Sequence, residues 1–160
     1  MTHTIGCTTR PYASLTFSEA CEHIAAAGYS DVAIFANGGR MSVQADSTNR
    51  EISDVRKAVA NAGLVPSMLL GNTQLNLGLD AALDHYRRLL DKIASLGGKW
   101  LLDCGTGDPA RYSDYLKLMR LASPYAAQAG INITMKPHGG ISLTVEDLCK
   151  ADDEVNHTSF

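Results

Sequence analysis

The residues best suited to chemistry form one phrase, Lys136-Pro137-His138-Gly139-Gly140. Proline stiffens the exit from the preceding apolar run. The two glycines let the backbone turn sharply or come close to a ligand. A partly desolvated lysine here is suited to stabilising an enolate, holding a carboxylate or phosphate, or forming a Schiff base. The plainer alternative is an ordinary ion pair. His138 is suited to acid–base work near neutral pH or to metal binding, against a loop-capping role. Asp103 closes another apolar run, Trp100-Leu101-Leu102. It is a candidate for orienting a substrate hydroxyl or pairing with Lys136, against an aspartate that bonds its own turn. These three are the candidate catalytic residues.

Other apolar runs end in polar or glycine-rich phrases as well. They are Cys7-Thr8-Thr9-Arg10, Ala36-Asn37-Gly38-Gly39 and Gly71-Asn72-Thr73-Gln74. If such ends share one rim, they line a small hydrogen-bonding pocket suited to a hydroxylated small molecule. Thr8, Asn37, Asn72 and Gly139 are the candidate substrate-binding residues. Gly105-Thr106-Gly107 lacks the lysine of a phosphate loop and the full dinucleotide fingerprint, and reads as a turn. His3, His23 and His85 read as structural or solvent-facing. The four cysteines, Cys7, Cys21, Cys104 and Cys149, show no CxxC spacing and read as free thiols in a reducing cytoplasm.

What must position these residues is a repeat of strand and helix. Four helical runs end in a glycine (Gly28, Gly63, Gly97, Gly130) and an apolar run follows each. The glycines recur about every 34 residues, the length of one βα unit with its loops. Glycine takes the left-handed conformation that closes a helix. Thr16 to Glu19 and Thr48 to Glu51 fit the capping box, and Asp108-Pro109 and Thr144 mark further starts. Helices are expected over 17–27, 48–62, 79–96, 109–129 and 144–150. Strands are expected over 4–8, 31–36, 64–70, 99–104 and 131–136. A helix between every two strands forces parallel pairing, with ligand chemistry at the carboxyl ends. The connection 37–47 is long enough for a binding loop or lid.

Two α/β architectures fit: part of an eight-stranded (β/α)8 barrel, about five units of it, or a complete flavodoxin-like, doubly wound sheet of five strands. In the fifth strand Ile131, Ile133 and Met135 alternate with Asn132, Thr134 and Lys136. One polar face suits a barrel lumen better than a central strand covered on both sides. Residues 1–151 read as the barrel part, and 152–160 as the truncated start of a sixth unit. Both open edges, at the first and fifth strands, invite self-association, so a homodimer is expected.

The phrases Ile5 to Thr9, Ala25 to Phe35 and Ile133 to Gly140 together resemble the sugar phosphate isomerase/epimerase family, within the xylose-isomerase-like TIM-barrel superfamily. The resemblance implies a (β/α)8 barrel that moves a proton between adjacent carbons of a sugar or keto-sugar. It also implies a divalent metal, Mn or Mg, at the mouth. The family commonly has a metal-binding Glu two residues before the histidine of this phrase, where this chain has Lys136. A cation does not replace a carboxylate ligand, so no metal ligand is assigned. The expected partner is a sugar-like small molecule, and the isolated chain is expected to turn over little.

Other classes are excluded on composition. The 160 residues are 45% hydrophobic, with 14 basic and 17 acidic residues and a net charge of -3. That is globular, and neither disordered nor suited to nucleic acid. No apolar stretch is long enough for a bilayer. Met1-Thr2-His3-Thr4 lacks the pattern of a secretory leader, so a cytoplasmic protein is expected.

Overall fold

The computed structural model describes residues 4–160, so His3 lies outside the described part. Five strands form one parallel sheet: β1 (Gly6–Thr8), β2 (Asp31–Ile34), β3 (Val65–Leu70), β4 (Trp100–Asp103) and β5 (Asn132–Met135). Their order across the sheet is their order in the chain. Helices α1 (Phe17–Ala26), α2 (Asn49–Asn61), α3 (Leu79–Leu96), α4 (Tyr112–Ala129) and α5 (Val145–Val155) alternate with them.

This order decides between the two expected architectures. A doubly wound sheet reverses direction at a switch point and places helices on both faces. Sequential order with right-handed crossovers places every helix on the same face. Each helix packs on the next, α1 on α2 through α4 on α5. The flavodoxin-like alternative is therefore overturned, and the chain is an open segment of a barrel.

The sequence signals act as expected. Gly28, Gly63, Gly97 and Gly130 have φ of 87°, 70°, 86° and 68°, and lead from helix toward strand. Thr16, Thr48 and Thr144 each close a full capping box, with Glu19, Glu51 and Asp147. The main core lies between sheet and helices. Ile34, Leu69, Leu101 and Ile133 from the strands meet Leu90 and Ile93 of α3 and Leu118 and Met119 of α4. At the β1 end a smaller cluster joins Cys21, Ile24, Val32, Val59 and Leu64.

Most strands and helices are a residue or two shorter than expected, and three larger differences stand out. A 3-10 turn capped by Asp108, Pro109–Arg111, precedes α4. The connection 37–47 holds a small antiparallel hairpin, Ala36–Asn37 against Arg40–Met41, turned by Gly38 and Gly39. Helix α5 continues to Val155, five residues beyond its expected end, because Ala151 and Val155 are buried and extend its apolar face. The first four residues of the stretch 152–160, expected to begin a sixth unit, are therefore helical. Asn156 then takes a left-handed conformation. The Ser159 carbonyl accepts from Ile133 N at 2.7 Å, on the side of β5 away from β4.

Candidate active site

Strand parity decides what each end residue does. In β4, Leu101 and Asp103 face the helices, whereas Leu102 and the following Cys104 face away, toward the side that is the lumen of a barrel. In β5, Ile133 and Met135 face the core, and Asn132, Thr134 and Lys136 are half-buried on the opposite face. Asp103 pairs with Met135, and Lys136 N donates to the Asp103 carbonyl at 2.8 Å. Cys104 and Lys136 are therefore neighbours on the lumen side, just past the carboxyl ends of β4 and β5.

Asp103 closes β4 on the helix side and also borders the cavity at the strand ends. It is 1% exposed, beneath the rim. Oδ1 accepts from Gly105 N at 2.7 Å and Oδ2 from the Tyr86 hydroxyl at 3.2 Å. Burial pushes its carboxyl above the ordinary range, opposed by the bonds from Gly105 and Tyr86. The Tyr115 hydroxyl is buried close by without a hydrogen-bond partner. Among the described residues Asp103 forms no ion pair with Lys136. In place of the expected ion pair, Asp103 ties sheet, helix and turn together, while also lining the cavity at the ends of β3 and β4.

Asn37 is likewise turned inward, at 5% exposure. Its amide donates to the Tyr12 carbonyl at 3.1 Å, while Gly38 N donates to Ala13 O at 2.9 Å. Thr9, fully buried, accepts from Phe35 N at 3.0 Å. Together these bonds lash the hairpin to the β1 loop. Nothing about this segment marks it as a lid.

The remaining candidates reach solvent. Thr8 is half-buried, and its hydroxyl accepts from Arg10 N at 3.3 Å. Asn72 is exposed and accepts from Gln74 Nε2 at 2.8 Å. His138 is exposed at its side chain, and its N–H donates to Ser142 O at 3.2 Å. Gly139 turns at φ 147°, and its carbonyl receives Ser142 N and Oγ, each at 3.1 Å. Ser142 Oγ also lies 3.0 Å from the Cys104 carbonyl. Gly140 packs so closely on the Thr106 carbonyl that a Cβ would collide with it. The loops after β4 and β5 are thus locked together under the rim.

A cavity of about 430 Å³ opens at the ends of β3 and β4, lined among others by Asn72, Gln74, Cys104, Thr106 and Arg111. A second, of about 400 Å³, lies between the hairpin, α1 and α2, away from Lys136 and His138. Burial raises the Cys104 thiol, as does the charge of Asp103. The charges of Lys136 and Arg10 oppose the rise. Sequence reading missed Arg10, Cys104, Tyr86, Tyr115 and Ser142. The alternation in β5 was the available signal for Cys104, but only the β4–β5 register puts it beside Lys136.

The donor set does not fit a divalent metal. Among the described residues no three His, Cys, Asp or Glu side chains converge. The four cysteines are unpaired, and no helix among the described residues is long and apolar enough to cross a membrane.

No family model matches the sequence, and no curated protein matches it significantly. Solved structures do match in fold. A xylose isomerase-like TIM barrel protein from Mycobacterium smegmatis, in complex with magnesium, aligns over 99% of this chain and 63% of its own, with TM-score 0.77 and 15% identity. A D-allulose 3-epimerase from Methylomonas sp. aligns over 98% of this chain and 60% of its own, with TM-score 0.74 and 18% identity. A 3-keto-D-glucoside 4-epimerase from E. coli aligns over 99% and 66%, with TM-score 0.73 and 16% identity. The chain thus spans under two thirds of each of these barrels. With its sequential strand order, single layer of helices and polar carboxyl rim, this chain has the fold of the xylose isomerase-like TIM barrels, as an open segment of five strands.

Proposed function

We propose that the chain supplies the substrate-binding mouth of a sugar isomerase or epimerase, and that proton transfer between adjacent carbons of a sugar-like substrate is the reaction. The carrying observation is the pairing of β4 with β5, which sets Lys136 beside Cys104 on the lumen side, next to a cavity lined by amides and hydroxyls. Lys136 stabilises the oxyanion that develops when a proton leaves the carbon next to a carbonyl. His138 takes that proton and returns it to the neighbouring carbon. Thr8, Asn72 and the Gly139 backbone bind substrate hydroxyls. Asp103 and Asn37 act as positioning residues, through Gly105 and the hairpin. No step is routed through a metal.

The kinship in fold with epimerases supports the substrate class, and the four free thiols support a cytoplasmic setting. The reading of 152–160 as the start of a sixth βα unit is supported, after the end of α5, by the bond from Ile133 N to the Ser159 carbonyl. Five strands leave the lumen open, so this chain alone turns over little. Saturation-transfer NMR with a panel of ketoses tests the reading. It predicts transfer that Lys136→Ala and His138→Ala abolish; transfer to no ketose contradicts it.

A second reading, association with another chain, rests on a separate observation. Edge strands β1 and β5 each have one strand neighbour, and Ile5, Val65 and Trp100, toward the amino ends of the strands, are 75%, 55% and 42% exposed. Sedimentation that shows a strict monomer up to high concentration counts against a homodimer through these edges.

A further inference from the structure

The loop after β3 holds a backbone that its sequence does not favour. Gln74 stands at φ 50° and ψ 32°, in the left-handed region. Residues with a Cβ avoid that region, and glycine or asparagine ordinarily fills it. The chain follows this rule elsewhere. Among the described residues ten glycines take a positive φ, and besides Gln74 the one other residue to do so is Asn156. Gln74 is the exception, and it borders the cavity of about 430 Å³ at the ends of β3 and β4. Leu75, 5% exposed, anchors the loop in the core directly after it, and the Gln74 carbonyl accepts from Leu77 N at 3.0 Å. A strained residue held in place beside a cavity points to a function for its side chain.

That side chain reaches a second carboxamide. Gln74 Nε2 donates to Asn72 Oδ1 at 2.8 Å, while Gln74 Oε1 and Asn72 Nδ2 have no hydrogen-bond partner among the described residues. The pair therefore presents one acceptor and one donor side by side, which two hydroxyls on adjacent carbons satisfy. The charges that line the same cavity are already matched. Asp108 lies 4.0 Å from Arg111 and accepts from Ala110 N, and both oxygens of Asp103 are occupied. What this part of the mouth leaves open to a ligand is neutral.

We propose that Gln74 is a specificity-determining residue: its strained backbone carries a carboxamide that, paired with Asn72, reads two adjacent hydroxyls of the ligand. The inference rests on the reading of the mouth as a sugar site. It adds which residue tells apart sugars that differ in the configuration of one hydroxyl.

The test uses the whole 160-residue chain and three ketohexoses. D-Allulose and D-tagatose each differ from D-fructose at one carbon. NMR titration gives the three affinities. Gln74→Met keeps the length of the side chain and the strained backbone but lacks the carboxamide. Wild type binds one of the sugars at least about fivefold more tightly than the others, and Gln74→Met binds all three within about twofold. Gln74→Gly removes the side chain and relieves the backbone. Its melting temperature stays level or rises by about 2 °C while the preference is lost. Asn156→Gly, at the other non-glycine position of positive φ, keeps the wild-type preference. The same preference in wild type and Gln74→Met overturns the proposal and leaves the sugar reading intact. So does equal affinity of wild type for all three sugars. A lower melting temperature for Gln74→Gly makes Gln74 a prop of the loop and also overturns the proposal. Binding of no ketohexose by wild type overturns the sugar reading, and this inference falls with it.

Discussion

The two sides of the rim use similar residues for opposite ends. Asp103, on the helix side of β4, and Asn37, Thr9 and Ser142 in the loops are buried, and their polar atoms hold loops in place. On the lumen side Thr8, Cys104 and Lys136 are only half-buried, and His138 beyond β5 is exposed. One step along a strand separates Asp103 from Cys104, and that step carries a residue from one side to the other. Polar residues at strand ends are therefore struts or ligand contacts according to parity, whatever their chemistry.

The comparison predicts that the strut side governs stability and the lumen side governs binding. The largest loss is expected at Gly140→Ala. Its Cβ meets the Thr106 carbonyl oxygen, and φ is 57°. Neither backbone can yield cheaply, so we expect about 3 kcal/mol of destabilisation. For a domain of this size that lowers the melting temperature by about 6 to 12 °C. An unchanged melting temperature would show that the β4 and β5 loops are not locked together.

Asp103→Ala comes next. It leaves Gly105 N and the Tyr86 hydroxyl without their acceptor, at a cost of about 2 kcal/mol in denaturant unfolding. Asp103→Asn sharpens the point through pH. The folded-state carboxyl titrates above its ordinary value. As pH rises from about 4, the unfolded chain ionises this group first, and wild type loses stability relative to Asp103→Asn until the folded-state value is passed. A stability difference that does not vary with pH would remove the case for a buried, raised carboxyl.

Thr48→Ala, which deletes one capping box at the start of α2, is expected to cost about 1 kcal/mol. Lys136→Met is expected to change stability by less than about 0.5 kcal/mol, because it is half-buried with no ion pair. A large destabilisation there would make Lys136 a strut and erase the distinction between the two sides.

Much of the fold was legible in the sequence because its signals are local. Glycines that close helices, threonines that open them and the alternation in β5 each act within a few residues. The choice between barrel segment and doubly wound sheet was not local. It depends on which strands lie adjacent, and no single strand encodes that. The roles of Asp103 and Asn37 were illegible for a related reason. An aspartate after Trp-Leu-Leu reads alike whether it faces lumen or helices, until Tyr86 and Tyr115 are known to lie behind it. Lys136 was picked out by its own phrase, whereas its neighbour Cys104 is brought to it by the β4–β5 register.

The most direct test of the central claim is an amide-resolved NMR titration with D-fructose. The account predicts shifts at Thr8, Cys104 and Lys136, on the lumen side of the rim. Shifts confined to Thr16, Asn37 and Glu51, which line the other cavity, would place the ligand site outside the lumen and contradict it.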